Sequence, residues 1–179
     1  MKKFAASTDS IVIGGAILNN FYKASGFEVG DSVVEEGYDA SIKALLKNQK
    51  LLLPVDVLAL RGKKKVVLTP DEIEKGDVIV DIGPQSVGLI NEKIQKAKLV
   101  VWNGPMGWYE KGFTNGTVTL AKSIAEAKAT TIIGGGDTGA AIESVLDIAT
   151  NKKIFVSTGG GATLDYLANG TLPGIKALG

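Results

Sequence analysis

Cysteine and histidine are both absent from the 179 residues of this chain. The first absence excludes disulfides and thiolate metal sites. The second removes imidazole general bases, Ser-His triads and His-ligated zinc. Chemistry is left to carboxylates, lysines, backbone amides or a metal held by oxygen. An excess of one charge is lacking too, since the net charge is +1. The densest positive stretch, RGKKK at Arg61 to Lys65, reads as a surface turn rather than a nucleic-acid patch. No apolar run approaches a membrane span. The opening MKKFAASTDS carries lysines with no apolar segment behind them, so it does not read as a secretory signal. Residues 1–10 read as a lead-in with no evident tie to the rest of the chain, and residues 11–179 as one domain. A cytoplasmic location, with neither nucleic acid nor membrane as partner, is the expectation.

Glycine, by contrast, is plentiful at 23 residues, and it clusters. Clustering argues for special turns rather than low complexity. The stretch TTIIGGGDTGAAIESVL, Thr130 to Leu146, is the sharpest case. Thr130 to Ile133 are consecutive β-branched residues, as in a strand buried on both faces. Ile142, Val145, Leu146 and Ala149 fall on one face of a helix. The glycines therefore sit at a strand-to-helix turn, with Asp137 or Thr138 as the natural N-cap. Glycine permits positive φ and close approach of a ligand. A helix start adds unpaired N–H groups and partial positive charge. Together these suit an anion, most often a phosphate. A tight turn capped by Asp137 is the competing reading.

The rest of the chain predicts strands alternating with helices. Strands are expected at Ile11–Gly15, Leu51–Asp56, Val78–Ile82, Leu99–Trp102, Thr130–Ile133 and Ile154–Ser157. Helices are expected at Ala16–Ser25, Tyr38–Gln49, around Val87–Ala97, Val118–Ala129, Thr138–Ala149 and Gly161–Ala168. Val55–Leu60 and Lys65–Thr69 read as a hairpin or an irregular insert around RGKK, and Pro70–Lys75 as a polar helical turn. Such alternation gives an α/β fold, a doubly wound, Rossmann-like parallel sheet with helices on both faces. Ligands in such folds sit at the carboxyl ends of the strands. Glycine and short polar residues pile up there, in GGA at Gly14, PVD at Pro54, DIGP at Asp81, NGPMG at Asn103, GGGDT at Gly134 and STGGGA at Ser157. That one-sided enrichment predicts a small-ligand site along this edge.

The individual motifs keep alternatives open. GGGDT offers amides, a helix start and the Asp137 carboxylate, a set that suits a phosphate with Mg²⁺. STGGGA repeats the arrangement one strand later. In NGPMGWYE, Asn103 and Glu110 suit sugar hydroxyls, or the segment is a rigid turn around Trp102 and Trp108. GGA at Gly14 suits close helix–strand packing or a flat shelf for a base. Asp56 and Asp81 read as caps of local turns. A P-loop is excluded because no GxxxxGK[ST] occurs. The dinucleotide fingerprint, GxGxxG with its acid further on, is also missing, which counts against a NAD-binding domain.

Taken in order, LPVDV at Leu53, DIGP at Asp81, VVWNGPMGWYE at Val100, IIGGGDTGAA at Ile132 and VSTGGGATLDYLANGTLPGIKAL at Val156 resemble the C-terminal, nucleotide-binding lobe of the phosphoglycerate kinase family. IVIGGAILNNFYKASGFEVGDS at Ile11 resembles the adenine-side strand and helix of that lobe. The resemblance runs from about Ile11 to Leu178. It implies phosphoryl transfer between 1,3-bisphosphoglycerate and Mg-ADP, with ADP or ATP and Mg²⁺ as ligands. It places Gly14, Gly15 and Ala16 on the adenine face, where the family commonly has a third glycine in place of Ala16. Asn103, Pro105, Gly107 and Glu110 fall on the ribose side. Gly135, Gly136, Asp137 and Thr138 fall at the β-phosphate end, with Asp137 on the metal. Gly136, Gly159 and Gly160, with Gly161 beside them, would meet the transferring phosphoryl group. The family's N-terminal lobe, which binds 3-phosphoglycerate, has no counterpart in this sequence, nor does its lysine-bearing Gly-Gly-Ala-Lys segment. The expectation is a monomer that binds nucleotide and is inactive without that lobe. A stand-alone nucleotide-binding or regulatory module is the alternative.

Overall fold

The computed structural model describes residues 7–143 and 151–177, the side chains of Asp39, Asp137 and Glu143 excepted. The fold is α/β, with parallel sheets flanked by helices. The chain forms two compact units, one of residues 1–90 and 106–116, the other of 91–105 and 117–179.

In the first unit, β1 (Ile11–Val12) pairs in parallel with β2 (Leu51–Leu52). Helix α1 (Ile17–Ala24) packs against α2 (Asp39–Leu46). Phe21 and Tyr22 on α1 are almost fully buried. Two such side chains each contribute about 1.5–3 kcal/mol of burial. The buried Tyr22 hydroxyl donates to the Pro54 carbonyl at 2.7 Å. Burial, with Asp56 adding to it, pushes the Tyr22 phenol well above its ordinary pKa.

Strands β3 (Val57–Arg61) and β4 (Lys64–Leu68) form the expected hairpin. Its two-residue turn is Gly62–Lys63, and Gly62 has φ +63°. Glycine at that first turn position matches the right-handed twist of the flanking strands. The polar helical turn also forms, as a 3₁₀ turn at Pro70–Glu72 with a Thr69–Glu72 capping box. The next strand departs from expectation. Strand β5 (Asp77–Ile82) pairs antiparallel with β3, not within a parallel sheet. The hairpin reverses the chain, and the short link after β4 is too brief for a helical crossover.

Arg61 and Asp77 lie opposite each other across that antiparallel pair. Arg61 Nε and Nη2 donate to the two Asp77 carboxylate oxygens at 2.9 and 2.8 Å. The Arg61 hydrogen bonds hold the Asp77 carboxyl below the usual carboxylate range; burial opposes them, and the Glu74 N–H assists. A depressed folded-state pKa contributes stability that is present above the unfolded carboxyl pKa. That stability is lost as pH falls through the folded one. Arg61→Ala is therefore expected to lower the melting temperature at neutral pH. The gap should narrow as pH falls through the carboxylate range and Asp77 protonates. Thermal melts of both proteins across that range check it, and a gap independent of pH would remove the pair as its cause.

Helix α3 (Pro84–Lys96) runs from the first unit into the second. There β6 (Leu99–Asn103), β7 (Thr130–Gly134) and β8 (Ile154–Ser157) form a parallel sheet in the order β6-β7-β8. Helix α4 (Asn115–Glu126) links β6 to β7, and α5 (Gly136–Glu143) comes after β7. Helix α6 (Gly160–Asn169) comes after β8 and ends at Gly170, φ +70°. A short α7 (Pro173–Ala177) lies beyond it in the chain. Helices cover both faces of this sheet. A Cβ on Gly134 would touch Thr163 of α6, whereas one on Gly139 of α5 would touch Val156. Gly134 pairs with Ser157, and Val156 with Ile133, so these contacts fall on opposite faces.

Helix α5 begins at Gly136, earlier than expected. Asp137 and Thr138 are consequently first-turn residues rather than N-caps. Gly135, at φ +101°, makes the sharp turn that lets helical geometry start sooner. Ile142 is fully buried as the pattern requires. Val145, Leu146 and Ala149 lie outside the described residues. No helix among the described residues is long and apolar enough to cross a membrane.

Candidate functional site

The register of the second unit sets Asn103, Gly134 and Ser157 side by side at the carboxyl ends of β6, β7 and β8. Each leads into a tight turn. Gly135 N donates to the Ser157 carbonyl at 2.9 Å, which ties the β7 turn to the end of β8. The Asn103 side-chain amide donates to the carbonyls of Gly134 at 3.0 Å and Gly160 at 3.3 Å. Gly104 N donates to Thr138 Oγ1 at 2.9 Å, and Trp102 Nε1 donates to the Gly104 carbonyl at 2.7 Å. Thr163 Oγ1 shares a hydrogen bond with Ser157 Oγ at 2.6 Å and donates to the Gly159 carbonyl. Three strand ends and two helix starts are thereby cross-linked.

The glycines divide into two kinds here. A Cβ on Gly160 would lie 2.8 Å from the Asn103 amide and 3.2 Å from Gly135 Cα. Gly160 is glycine because Asn103 and the Gly135 backbone crowd it, and Gly135 because its φ of +101° suits no other residue. A Cβ on Gly136 or Gly161 would meet nothing within 4 Å. Those two open the helices onto free space. By helix geometry the first N–H groups of α5 and α6 have no carbonyl partner within their helix. Two donor-rich helix starts on adjacent parallel strands give this edge the chemistry that suits an anion.

Two other helix starts are filled from within. The Asp56 carboxylate accepts from the N–H groups of Ser86 at 2.7 Å and Gln85 at 3.0 Å, capping α3. The Ser86 hydroxyl donates to the same carboxylate at 2.5 Å. The Asp81 carboxylate accepts from Gly116 N at 2.9 Å, capping α4, and from Ile82 N at 2.8 Å. Burial pushes the Asp81 carboxyl above its ordinary pKa, and these two N–H bonds oppose the push. The expectation of local turn caps is thus corrected. Both aspartates cap helices, but through N–H groups 29, 30 and 35 residues further along the chain.

The structure also places the remaining candidate residues. Gly15 has φ +65°, and its N–H donates to the Met106 carbonyl at 3.1 Å. Gly14 lies against the Met106 side chain, with its Cβ position 2.3 Å from the sulfur, so close packing accounts for glycine there. Gly107 is buried, and a Cβ on it would strike the Asp81 carboxylate and the Phe113 carbonyl, each at 2.5 Å. Glu110 is exposed, in the 3₁₀ turn Tyr109–Lys111 of the first unit. Pro105 belongs to the second unit with Asn103. Thr138 is 2% exposed, and its hydroxyl is engaged with Gly104. Gly159 immediately precedes α6. Asp137 is the second residue of α5, and its side chain lies outside the described set. Ser157 and Thr163 join the site although no sequence motif singles them out as individual residues. The one signal for Thr163 is its place four residues after Gly159, where a hydroxyl reaches back one helical turn.

Fold and site together define an α/β protein with paired glycine turns presented at the carboxyl edge of a parallel sheet. The phosphoglycerate kinase family profile matches residues 1–170. The phosphoglycerate kinase of Clostridium perfringens strain 13 is 46% identical over 179 residues, covering 95% of this chain and 45% of that protein. That of Clostridium tetani is 43% identical over 180 residues, covering 95% of this chain and 44% of that protein. The solved structure of phosphoglycerate kinase from Coxiella burnetii superposes with a TM-score of 0.84 at 35% identity, covering 99% of this chain and 48% of that one. The chain belongs to the phosphoglycerate kinase family. It spans about half the length of the relatives it matches.

Proposed function

We propose that these residues form the C-terminal, nucleotide-binding lobe of a phosphoglycerate kinase and hold Mg-ADP or Mg-ATP. The observation that carries the reading is the pair of cross-linked glycine turns, Gly134–Gly136 and Gly159–Gly161, each opening a helix from adjacent parallel strands. Phosphate oxygens accept from the free N–H groups at those helix starts, with Gly136, Thr138 and Gly160 forming the cradle and Gly135 and Gly159 making the turns that present them. The roles of Gly14, Gly15, Asn103, Pro105, Gly107 and Glu110 toward the adenosine end rest on the family resemblance.

The donor set suits magnesium. A chain without histidine or cysteine offers a metal only oxygen ligands. Among the described residues no group of three or more acidic side chains gathers to hold an ion. Asp137 would supply a metal with one carboxylate oxygen, and phosphate and water would supply the rest. Mg²⁺ so held offsets the charge of the phosphates. The whole enzyme, in this reading, is a cytoplasmic monomer in which a second lobe delivers 3-phosphoglycerate, and these residues alone are inactive. One observation favours a second reading, a nucleotide-binding module without kinase activity: the single arginine is spent on Asp77.

The test is calorimetric titration with ADP, with and without Mg²⁺, on the chain and on Asp137→Asn. The substitution is expected to weaken Mg-ADP binding about tenfold or more while leaving metal-free ADP nearly unchanged. An equal loss in both conditions would make Asp137 a plain contact rather than a metal ligand. No binding by the unsubstituted chain would remove the proposed function.

A further inference from the structure

Asn103 is an exposed residue at the end of β6, yet its amide nitrogen is directed at protein backbone. That nitrogen carries two hydrogens and meets two carbonyls, Gly134 and Gly160, at 3.0 and 3.3 Å. These carbonyls belong to different turns, the one after β7 and the one after β8. Gly134 and Gly160 are also the positions where a Cβ would collide with the Asn103 amide. Small residues and amide thus fit one another.

We infer that Asn103 is a positioning residue that clamps the two glycine turns at a fixed separation. This inference deepens the nucleotide reading and rests on it for its consequence, but the clamp itself is made within the protein. The other tie between the turns runs through backbone (Gly135 N to Ser157 O), whereas the hydroxyl bond of Ser157 with Thr163 stays within the second turn. Among the described residues, Asn103 is the side chain that bonds both turns from the neighbouring strand β6. With both hydrogens committed, what the side chain still offers a ligand is an acceptor, its carbonyl oxygen. An acceptor fits a ligand hydroxyl or a metal-bound water, and it does not fit a bare phosphate oxygen. Asn103 therefore sets where the phosphate-binding amides stand and leaves the phosphate to them.

Asn103→Ala, Asn103→Asp and Asn103→Gln test the clamp. The first readout uses no nucleotide: amide hydrogen exchange at Gly135 and Thr163, whose N–H groups bond to Ser157 O and Gly159 O. Exchange at both is expected to speed up about three- to tenfold in Asn103→Ala. Asn103→Asp should go further, because a carboxylate faces two carbonyl oxygens with no hydrogen between them. Asn103→Gln keeps the donor and should recover part of the protection. Thr131 N, bonded to Lys153 O at the far end of the sheet, serves as the unaffected reference. The second readout is Mg-ADP affinity, expected to fall about tenfold in Asn103→Ala and to recover in part in Asn103→Gln. Weaker binding with unchanged exchange at Gly135 and Thr163 would overturn the clamp and make Asn103 a ligand contact only. Faster exchange in a chain that binds no nucleotide would uphold the clamp and remove the nucleotide reading instead. If Asn103→Asp does not fold, the comparison of Ala with Gln still decides.

Discussion

Gly135→Val is expected to reduce Mg-ADP binding by about 100-fold or more while the chain still folds. Two effects act together. Gly135 sits at φ +101°, a region that a β-branched residue essentially never adopts. Holding valine there strains the backbone by about 1–3 kcal/mol. The chain relieves that strain by rotating the turn, and the rotation moves the N–H groups that begin α5. A new Cβ would also stand 3.4 Å from Thr138 Oγ1 and 3.8 Å from Gly160 Cα, so the branched methyl groups press the two turns apart. The fold itself does not depend on this point, since the core of the second unit lies beneath the sheet, in Trp102, Ile133, Leu120 and Ile142. Gly136→Ala is the control: it meets nothing within 4 Å and should keep full stability. Calorimetry with Mg-ADP and a circular-dichroism melt of both variants decide the matter. Normal ADP affinity in folded Gly135→Val would mean that the phosphate does not bind at this turn.

Much of this architecture is legible in the chain because it is local. Thr130–Ile133, a β-branched run before glycines, becomes β7, and Gly62 in RGKK turns the hairpin at the expected place. Period and turn chemistry depend on near neighbours, and these are enough. Partners distant in sequence are not legible. Asp77 carries no sign that it will face Arg61 across an antiparallel pair, because register is fixed only when the hairpin folds back. Asp56 and Asp81 look like turn residues, and their carboxylates cap helices far along the chain. The start of α5 differs from expectation because a positive-φ glycine makes the turn where the pattern suggests a side-chain cap. At the site, the glycine enrichment points to the edge where the two turns meet. It does not say which glycines leave open space and which face only the neighbouring turn, a distinction that lies in the 2.8 Å that would separate a Cβ on Gly160 from the Asn103 amide.

The chain by itself is expected to transfer no phosphoryl group above background. Phosphoryl transfer asks a protein for position and for charge that offsets the negative oxygens of the transferring group. In the proposed reading, backbone amides at Gly136 and Gly160 supply part of that charge. Guanidinium groups supply more, and one well-aimed arginine is worth about 10³–10⁵ in rate. This sequence has one arginine, Arg61, and both oxygens of Asp77 hold it through Nε and Nη2. Its third tie, Nη2 to the Glu72 carbonyl at 3.0 Å, fixes it further on the hairpin. Releasing it would strand a buried carboxylate, so it is not a mobile donor. The relatives are about twice as long, and in the proposed reading their remaining residues bring the cations that these lack. Nucleotide affinity should then come mainly from the adenosine end, and ADP and ATP should differ little. A separately produced complementary lobe should restore at most slight turnover, because two free chains lack the effective concentration of a linked pair. The measurement is a coupled assay of 3-phosphoglycerate-dependent ATP consumption on the purified chain. Steady turnover that survives repurification and disappears in Asp137→Asn would show that these residues hold a complete substrate site, and the lobe reading would have to be abandoned.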